Sequence, residues 1–443
     1  MFELLERYNR PTPRYTSYPP APHWDLVNNG LLVSALRRST APLSIYVHIP
    51  FCEQLCAYCA CNVIVSRDHK AASSYIEDVI AEMDLVEEAH NRLVTQMHWG
   101  GGTPTYLEPR QIDELFNAIV TRFMVPAEGA EISVEVDPRV TTLAHLQTLR
   151  SLGFNRLSIG IQDFDKAVQL AVHRIEPYEH TRKLFDKARE LGFESISADL
   201  IYGLPMQTRS SFRKTLDLMV DLRPDRVAVF SYAHVPSLKR QQKSLEKHLP
   251  PESEKLQFFV DAIQKFTSAG FEHIGMDHFA RPGDPLVEAR NNGTLHRNFQ
   301  GYTTHSETDL VGFGVSAISH VGHTFTQNFR DLRSYEDAIR SDHLPEFRGY
   351  VQSIDDVIRG AVIEECLCNE AISKNTIEQR FGIVFDDYFK PELARLIELE
   401  SDGLIEGRAS RSIRVTPSGR IFSRTVAKMF DAFESAAVAS KAV

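Results

Sequence analysis

Long apolar runs are missing from this chain: no stretch reaches the roughly 18 consecutive apolar residues needed to cross a bilayer. The opening MFELLERYNRPTPRYTSYPP also lacks an apolar core and puts Glu3 and Glu6 among its first charges. No signal peptide is expected, so the cytoplasm is the expected compartment and no membrane partner is foreseen. A basic surplus is missing as well. Forty-nine Lys and Arg stand against 59 Asp and Glu, a formal charge of -10 with a pI near 6.0. That balance speaks against nucleic acid as a partner while leaving room for a local basic pocket. No internal repeat, low-complexity tract or dinucleotide-binding glycine fingerprint occurs. Cysteine is scarce and unevenly placed: four of the six lie between Cys52 and Cys61, the others at Cys366 and Cys368. A secreted disulfide framework spreads its cysteines along a small chain, so a reducing compartment and a metal or redox role fit better.

What is present is ordinary for a globular protein. Hydrophobic residues make up 43% and charged residues 24% of 443 residues, enough for two or three domains of roughly 100–200 residues each. After a Pro- and Tyr-rich leader, strand-like segments at 44–49, 95–99, 131–136, 156–161, 195–201 and 226–231 alternate with helix-period stretches at 71–88, 109–122, 142–152, 178–191 and 210–222. Such alternation predicts a parallel sheet with helical crossovers, and the missing glycine fingerprint favours a barrel-like curl over a doubly wound sheet. The unusual residues support this. The cysteine run follows the first strand, WGGGTP ends the second, Glu135 tips the third, Gln162 follows the fourth, Asp199 is late in the fifth and SYAHVP follows the sixth. In parallel barrels the strand-to-helix loops carry the chemistry.

A helix at 254–268 and the segment 273–275 are candidates to extend the barrel, and the polar, Gly-rich stretch from 282 to 323 reads as a functional cover. From 351 two helical stretches (354–365 and 391–401) surround a shorter one, then a hairpin (404–406 with 413–416) and a last helix after Pro417. That order resembles a winged-helix domain. Its 12 basic and 15 acidic residues, a net -3, argue against DNA. The expected division is a leader at 1–40, a barrel at 41–285, a cover and connection at 286–350 and a C-terminal domain at 351–443.

The chemistry centres on PFCEQLCAYCACN, in which Cys52, Cys56, Cys59 and Cys61 form Cys-x3-Cys-x2-Cys-x-Cys. Thiolates bind soft metals and hold most iron–sulfur clusters, whereas zinc sites pair Cys-x2-Cys motifs far apart. Three close ligands on one loop suit a cubane whose fourth iron is open; a structural zinc or cluster site is the alternative. Cys366 and Cys368, in a helix-like stretch, read as core packing.

The Cys-x3-Cys-x2-Cys loop is the signature of the radical S-adenosylmethionine (SAM) enzymes. Within them the chain resembles the oxygen-independent coproporphyrinogen III oxidase (dehydrogenase) family of haem biosynthesis. The likeness is carried in order by YNRPTPRYTSYP, IYVHIPFC, HWGGGTPTYL, SVEVDPR, FNRLSIGIQDF, DLIYGLP, YAHVP, HRNFQGYTTHSETDL and GVSAIS. It implies an α/β fold, an open (β/α)6 partial TIM barrel with an N-terminal leader and a mainly helical, winged-helix-like C-terminal domain. It implies a 4Fe-4S cluster on Cys52, Cys56 and Cys59 and two molecules of SAM. Tyr46, Gly101, Glu135 and Ile318 match contacts to one molecule; Tyr58, Gly102, Thr103, Gln162, Arg174, Asp199 and Ala233 match contacts to the other. The implied reaction converts two propionates of a porphyrinogen substrate to vinyls with loss of carbon dioxide. It needs an external low-potential electron donor and an electron acceptor, and the chain is expected to be a monomer.

The motifs also have readings of their own. Without side chains, Gly100–Gly102 can bring backbone carbonyls close to an ammonium group, or form a tight turn. A lone strand-end carboxylate is more often a helix cap, so Glu135 and Asp199 depend on the family match; Arg174 could clamp a carboxylate or be a solvated surface charge. Cys61 is not a ligand in this scheme. The family's oxidases carry a cysteine there and the related haem chaperones an aromatic residue, so Cys61 favours the enzyme and is the candidate catalytic side chain. Four propionates call for cations, and Arg14, Lys239, Arg240, Arg281 and Arg297 are candidates. Two rival readings share the loop, a haem-binding chaperone and a radical SAM methylase on another substrate. His305, where glutamine is expected, departs from the family pattern.

Overall fold

The computed structural model describes residues 2–8, 10–27 and 30–433. The chain divides into two compact units, one of 25–269 with 307–351, the other of 1–24, 270–306 and 352–443.

The first unit is built on an open sheet. Six parallel strands lie side by side in chain order: β1 (Leu43–Ile49), β2 (Val94–Gly101), β3 (Glu131–Val136), β4 (Arg156–Gln162), β5 (Ser195–Tyr202) and β6 (Arg226–Ser231). These are the six strands expected from the sequence. On the free side of β1 the sheet continues through β7 (Asp309–Phe313), parallel to β1, and then antiparallel through β8 (Ile318–Val321), β9 (Thr324–Asn328) and β10 (Glu346–Val351). A short strand, Asp25–Leu26, pairs with β10 at the edge. The last part of the stretch read from the sequence as a polar cover, from 309 onward, therefore contributes strands to this sheet. The strands at 309–313 and 324–328 are buried throughout, and segments this short show no periodicity that separates strand from turn.

The crossover helices are α1 (Lys70–Asp84), α2 (Pro109–Arg122), α3 (Leu143–Ser151), α4 (Tyr178–Glu190), α5 (Arg209–Leu222) and α6 (Glu252–Ser268). Local chemistry starts them: the Thr142 and Thr208 hydroxyls accept the amides of His145 and Ser211, and Pro109 occupies the first turn of α2. α3 ends as Gly153 turns to a φ of 100° and the amide of Phe154 bonds back to Leu149. The expected 71–88 helix is shorter, α1 giving way to a single 3-10 turn at Glu87–Ala89. Fully buried Trp99, Phe154, Phe212, Phe258 and Phe266 form much of the core.

The second unit is mainly helical, with α7 (Ile354–Cys368), α8 (Lys374–Phe381) and α9 (Lys390–Ser401). The expected hairpin forms as Ile405–Glu406 with Ser412–Val415. An unforeseen strand, Ala371–Ser373, makes it a three-stranded antiparallel sheet. The leader packs on the end of this unit: Tyr8 meets Phe422 edge-on at 6.0 Å, Tyr15 donates to Asp431 at 2.9 Å and Tyr18 stacks edge-on against Phe433 at 5.7 Å. Cys366 and Cys368 are fully buried. Of the C-terminal stretch, 434–443 lie outside the described residues.

One buried acid ties α1 to the β7–β8 turn. Glu82 accepts the Gly314 amide at 2.7 Å, the Tyr335 hydroxyl at 2.6 Å and Asn328 Nδ2 at 2.6 Å, while the Tyr75 hydroxyl receives the Val315 amide at 3.0 Å. Burial raises the Glu82 pKa from 4.5 to about 7, against the pull of these three donors. The folded state therefore holds a proton that the unfolded chain has lost, and stability should fall as pH rises from about 4.5 through about 7. Glu82→Gln should remove that decline, although its amide cannot accept from Asn328; thermal unfolding of both proteins at pH 5 and pH 8 measures the difference in slope.

Candidate active site

Strand alternation decides which side chains face the site. Along β3 the residues Ile132, Val134 and Val136 are buried in the core, and along β4 Leu157, Ile159 and Ile161 are. The intervening Ser133, Glu135, Ser158, Gly160 and Gln162 thus share the opposite face, as period two requires. Register aligns them across strands: Tyr46 opposite His98, His98 opposite Ser133, Glu135 opposite Ser158, and Gly160 opposite Asp199. Every residue assigned from the sequence to the cluster, to SAM or to catalysis falls in this unit, as do Lys239 and Arg240, whereas the candidate cations Arg14, Arg281 and Arg297 belong to the other.

The cysteine loop leaves β1 through Phe51–Cys52, which pairs in parallel with Ile64–Val65 and closes the loop between them. A turn sets the Cys59 amide on the Cys56 carbonyl at 3.0 Å. Outside donors hold the loop's backbone. Gln242 Nε2 bonds the Tyr58 carbonyl at 2.8 Å, Gln241 Nε2 the Cys59 carbonyl at 3.0 Å and Lys239 Nζ the Cys61 carbonyl. The sulfurs face donors too: Cys52 Sγ lies 3.3 Å from Thr103 Oγ1, and Cys56 Sγ receives Arg139 Nη2 at 3.4 Å and Arg174 Nη1 at 3.7 Å. Burial pushes the Cys52 thiol up to about 11. The Cys61 thiol, donating to Cys59, brings Cys59 down to about 6. Among the described residues no three His, Cys, Asp or Glu side chains converge on one metal ion. A cubane places each thiolate on a different iron, so its ligands need not share one point.

Around the expected first cofactor contacts the structure is tight. The Tyr46 hydroxyl lies 3.0 Å from His48 Nδ1, and its ring stacks on His98 at 6.0 Å. Glu135 accepts the Gly101 amide at 3.0 Å and lies 3.5 Å from His98 Nε2. Burial raises the Glu135 pKa, but His98 and the Gly101 amide outweigh it and leave the group below its ordinary value. Gly101, at a φ of 116°, would drive a Cβ to 2.6 Å from His48, and one on Gly102 would come within 2.6 Å of the Pro50 carbonyl. These glycines are there because the backbone passes so close to His48 and Pro50, which lead into the cysteine loop. Ile318 opens β8, and its carbonyl would lie 2.4 Å from a Cβ on Gly312, the residue paired with Tyr46.

Arg174 is a buried residue rather than a surface charge. The short helix Lys166–Ala171, capped by Asp165, ends with His173 at a φ of 56°, and the Arg174 amide turns back to the Gln169 carbonyl at 2.9 Å. Its guanidinium reaches Asp137 at 2.7 Å and the Gly160 carbonyl, while its Nε is enclosed without a partner. Gln162, at a φ of 71°, has its Oε1 enclosed without a partner as well. Ser158 Oγ donates to Asp199 at 3.2 Å, and Gln242 Nε2 also bonds the Ala233 carbonyl at 3.2 Å. Burial pushes the Tyr58 hydroxyl upward, with Arg174 opposing it. Cys61 is exposed, and its thiol is raised by its bond to Cys59, by burial of the sulfur and by Glu135.

Three residues were missed from the sequence. Asp137 binds Arg174 and Arg139 together and sits at about 2, since the two guanidinium groups overcome the effect of burial. Its signal was available: Asp137 and Arg139 close the SVEVDPR motif directly after β3. Gln242 had none, because a glutamine in a polar stretch reads as solvated. It is fully buried, and all its bonds go to backbone: two carbonyls, and the Val235 amide on Oε1 at 2.6 Å. Of the candidate cations, Lys239 is bonded to the cysteine loop, Arg240 is exposed and Arg281 lies over the Phe271 ring at 4.8 Å. Gln242→Leu strands the Tyr58 and Ala233 carbonyls and should cost about 2 kcal/mol. A lower thermal unfolding midpoint of the metal-free chain, with faster proteolysis at 53–62, is the expected result.

The residues fit a thiolate-bound cluster and a charged organic cofactor: three thiols on one loop, guanidinium groups against a sulfur, glycines where a Cβ would clash, and enclosed polar atoms on Gln162 and Arg174 awaiting a partner. The comparisons agree. Residues 46–219 match the Radical SAM superfamily model and residues 353–422 the HemN C-terminal domain. The oxygen-independent coproporphyrinogen III oxidase of Synechocystis sp. is 43% identical over 97% of this chain and 94% of its own. That of Escherichia coli (strain K12) is 44% identical with the same coverage. The solved structure of coproporphyrinogen III oxidase (HemN) from Escherichia coli, a radical SAM enzyme, superposes with a TM-score of 0.93 at 42% identity, covering 98% of this chain and 99% of that one. With that similarity sustained over both units, the chain belongs to the oxygen-independent coproporphyrinogen III oxidase family of radical SAM enzymes.

Proposed function

We propose that this chain converts two propionate side chains of coproporphyrinogen III to vinyl groups, giving protoporphyrinogen IX in haem biosynthesis. The observation that carries the reading is full-length identity of 41–44% to oxidases of this name, with the three-cysteine loop set beside the Gly100–Gly102 backbone. The enzyme is an oxidoreductase that takes a 4Fe-4S cluster and SAM. When bound, these groups supply the one-electron chemistry that removes a hydrogen atom from a propionate. Each propionate then gives up carbon dioxide and one electron, so the balance requires an acceptor as well as a low-potential donor, both external to this chain.

The chain's own residues would act around that chemistry. Cys52, Cys56 and Cys59 are assigned as cluster ligands, with Arg139 and Arg174 offsetting the negative charge gathered at Cys56. Tyr46, Gly101, Glu135 and Ile318 are assigned to one SAM, with the Glu135 carboxylate kept ionised by the Gly101 amide and His98. Tyr58, Gly102, Thr103, Gln162, Arg174, Asp199 and Ala233 are assigned to the second, supported by the unpartnered Gln162 Oε1 and Arg174 Nε. Cys61, an exposed residue beside Cys59, is assigned to the chemistry rather than to the metal. Among the described residues no helix is long and apolar enough to cross a membrane; a cytoplasmic location and a monomeric state are part of the proposed reading.

Anaerobic reconstitution followed by a coproporphyrinogen III turnover assay tests the function; absence of protoporphyrinogen IX would overturn it. The parent should hold roughly four irons per chain. Replacing Cys52, Cys56 or Cys59 by Ala should abolish iron, whereas Cys61→Ser should keep iron and SAM binding yet lose most turnover. Near-parent turnover in the serine variant would leave Cys61 no chemical part.

A further inference from the structure

The second unit contains a charged group that the assignments above do not use. Arg297 lies on the strand His296–Asn298, paired with Gly301–Thr303 in a hairpin that sets Arg297 opposite Tyr302. Its guanidinium covers the Tyr302 ring at 5.0 Å, and the Tyr302 hydroxyl is fastened to the Leu367 carbonyl at 3.0 Å. Arg297 Nε donates to the backbone carbonyl of Arg14 at 3.4 Å, bringing a second guanidinium into the group. The side chain is thus held in place on one face and one edge by neutral groups.

The acids nearby do not bond this guanidinium. Asp277 is buried, with Oδ2 bound to Arg14 Nη2 at 2.6 Å and Oδ1 lying 2.8 Å from His278 Nδ1. Glu364 Oε1 takes His296 Nδ1 at 3.1 Å and the backbone amide of Arg297 at 3.2 Å, with no bond to the guanidinium. His278 is held below its ordinary value by burial, so it stays neutral and adds no charge at pH 7. Arg297 Nη1 is enclosed and has no acceptor. A permanently charged donor in that condition is costly unless an anion meets it, and a guanidinium edge matches the two oxygens of a carboxylate.

We propose that Arg297, held by Tyr302 and the Arg14 carbonyl, is a carboxylate-binding residue that receives one propionate of the tetrapyrrole. The carboxylate chemistry stands on the donor geometry; its identity as a propionate rests on the function proposed above. Tight binding of the substrate by its acid groups would then be separable from the decarboxylation chemistry.

The test is binding of coproporphyrin III, the stable oxidised tetracarboxylate, and of its tetramethyl ester to the reconstituted holoenzyme, read by fluorescence for the parent, Arg297→Gln and Arg297→Lys. One charge-assisted contact corresponds to about 10–100-fold in affinity. Arg297→Gln is expected to weaken the acid by that factor and to leave the ester at parent affinity, with Arg297→Lys between. Equal affinity of parent and Arg297→Gln for the acid overturns the proposal, as does an equal loss for acid and ester, which would mark a structural role. If Arg297→Gln lowers the unfolding midpoint, the decision passes to Arg297→Lys, where loss of preference for the acid over the ester supports the proposal and an unchanged preference overturns it. Because binding is measured without turnover, a parent that fails to make protoporphyrinogen IX refutes the function without touching this result.

Discussion

The site depends on one buried anion. Asp137 follows β3 and holds Arg139 and Arg174 at once, and both guanidinium groups also reach Cys56. Buried ion pairs often contribute little net stability, but removing one partner is strongly destabilising because a charge is left uncompensated. Here that charge would be a pair of arginines against the cysteine loop. Asp137 fixes where the cations sit, and they in turn fix the electrostatics around the sulfur. Through Arg174 the same carboxylate reaches the β4–β5 side, where Gly160 lacks a side chain and leaves room for both Gln162 and Arg174.

A second constraint is steric. The Gly100–Gly102 backbone runs so close to the end of β1 and the start of the cysteine loop that a single Cβ at Gly101 or Gly102 would collide with His48 or Pro50. From the other side, Lys239, Gln241 and Gln242 fasten the loop's carbonyls. The loop carries few apolar anchors of its own and is ordered by donors from distant parts of the chain. Cys61, an exposed residue, thus sits on a segment whose backbone is fixed.

Similar logic holds where a polar group is buried away from the cysteines. Glu82 orders the Gly314 turn by accepting three donors, and its elevated pKa is the cost of keeping a carboxyl in the core. At Arg297 the balance is reversed, with a donor enclosed and no acceptor supplied by the protein. The first arrangement closes on itself, whereas the second is complete only with an anion.

The sequence by itself determined the six parallel strands, because alternation of apolar and polar residues and the helix-period stretches between them are local signals. It determined the family as well, since the cysteine spacing and the ordered motifs are chemical requirements written contiguously. It also contained Asp137 and Arg139, legible as charges at a strand end though not as partners of Arg174 some 35 residues later. Only the tertiary structure decided that 309–313, 318–321, 324–328 and 346–351 are strands of the sheet, that the leader packs on the C-terminal end of the second unit, and that Gln242 is a buried clamp. The physical reason is common to all three. Burial and hydrogen-bond partnership are properties of residues far apart in the chain, and a glutamine or a short apolar run reads the same in sequence whether it ends in water or in the core.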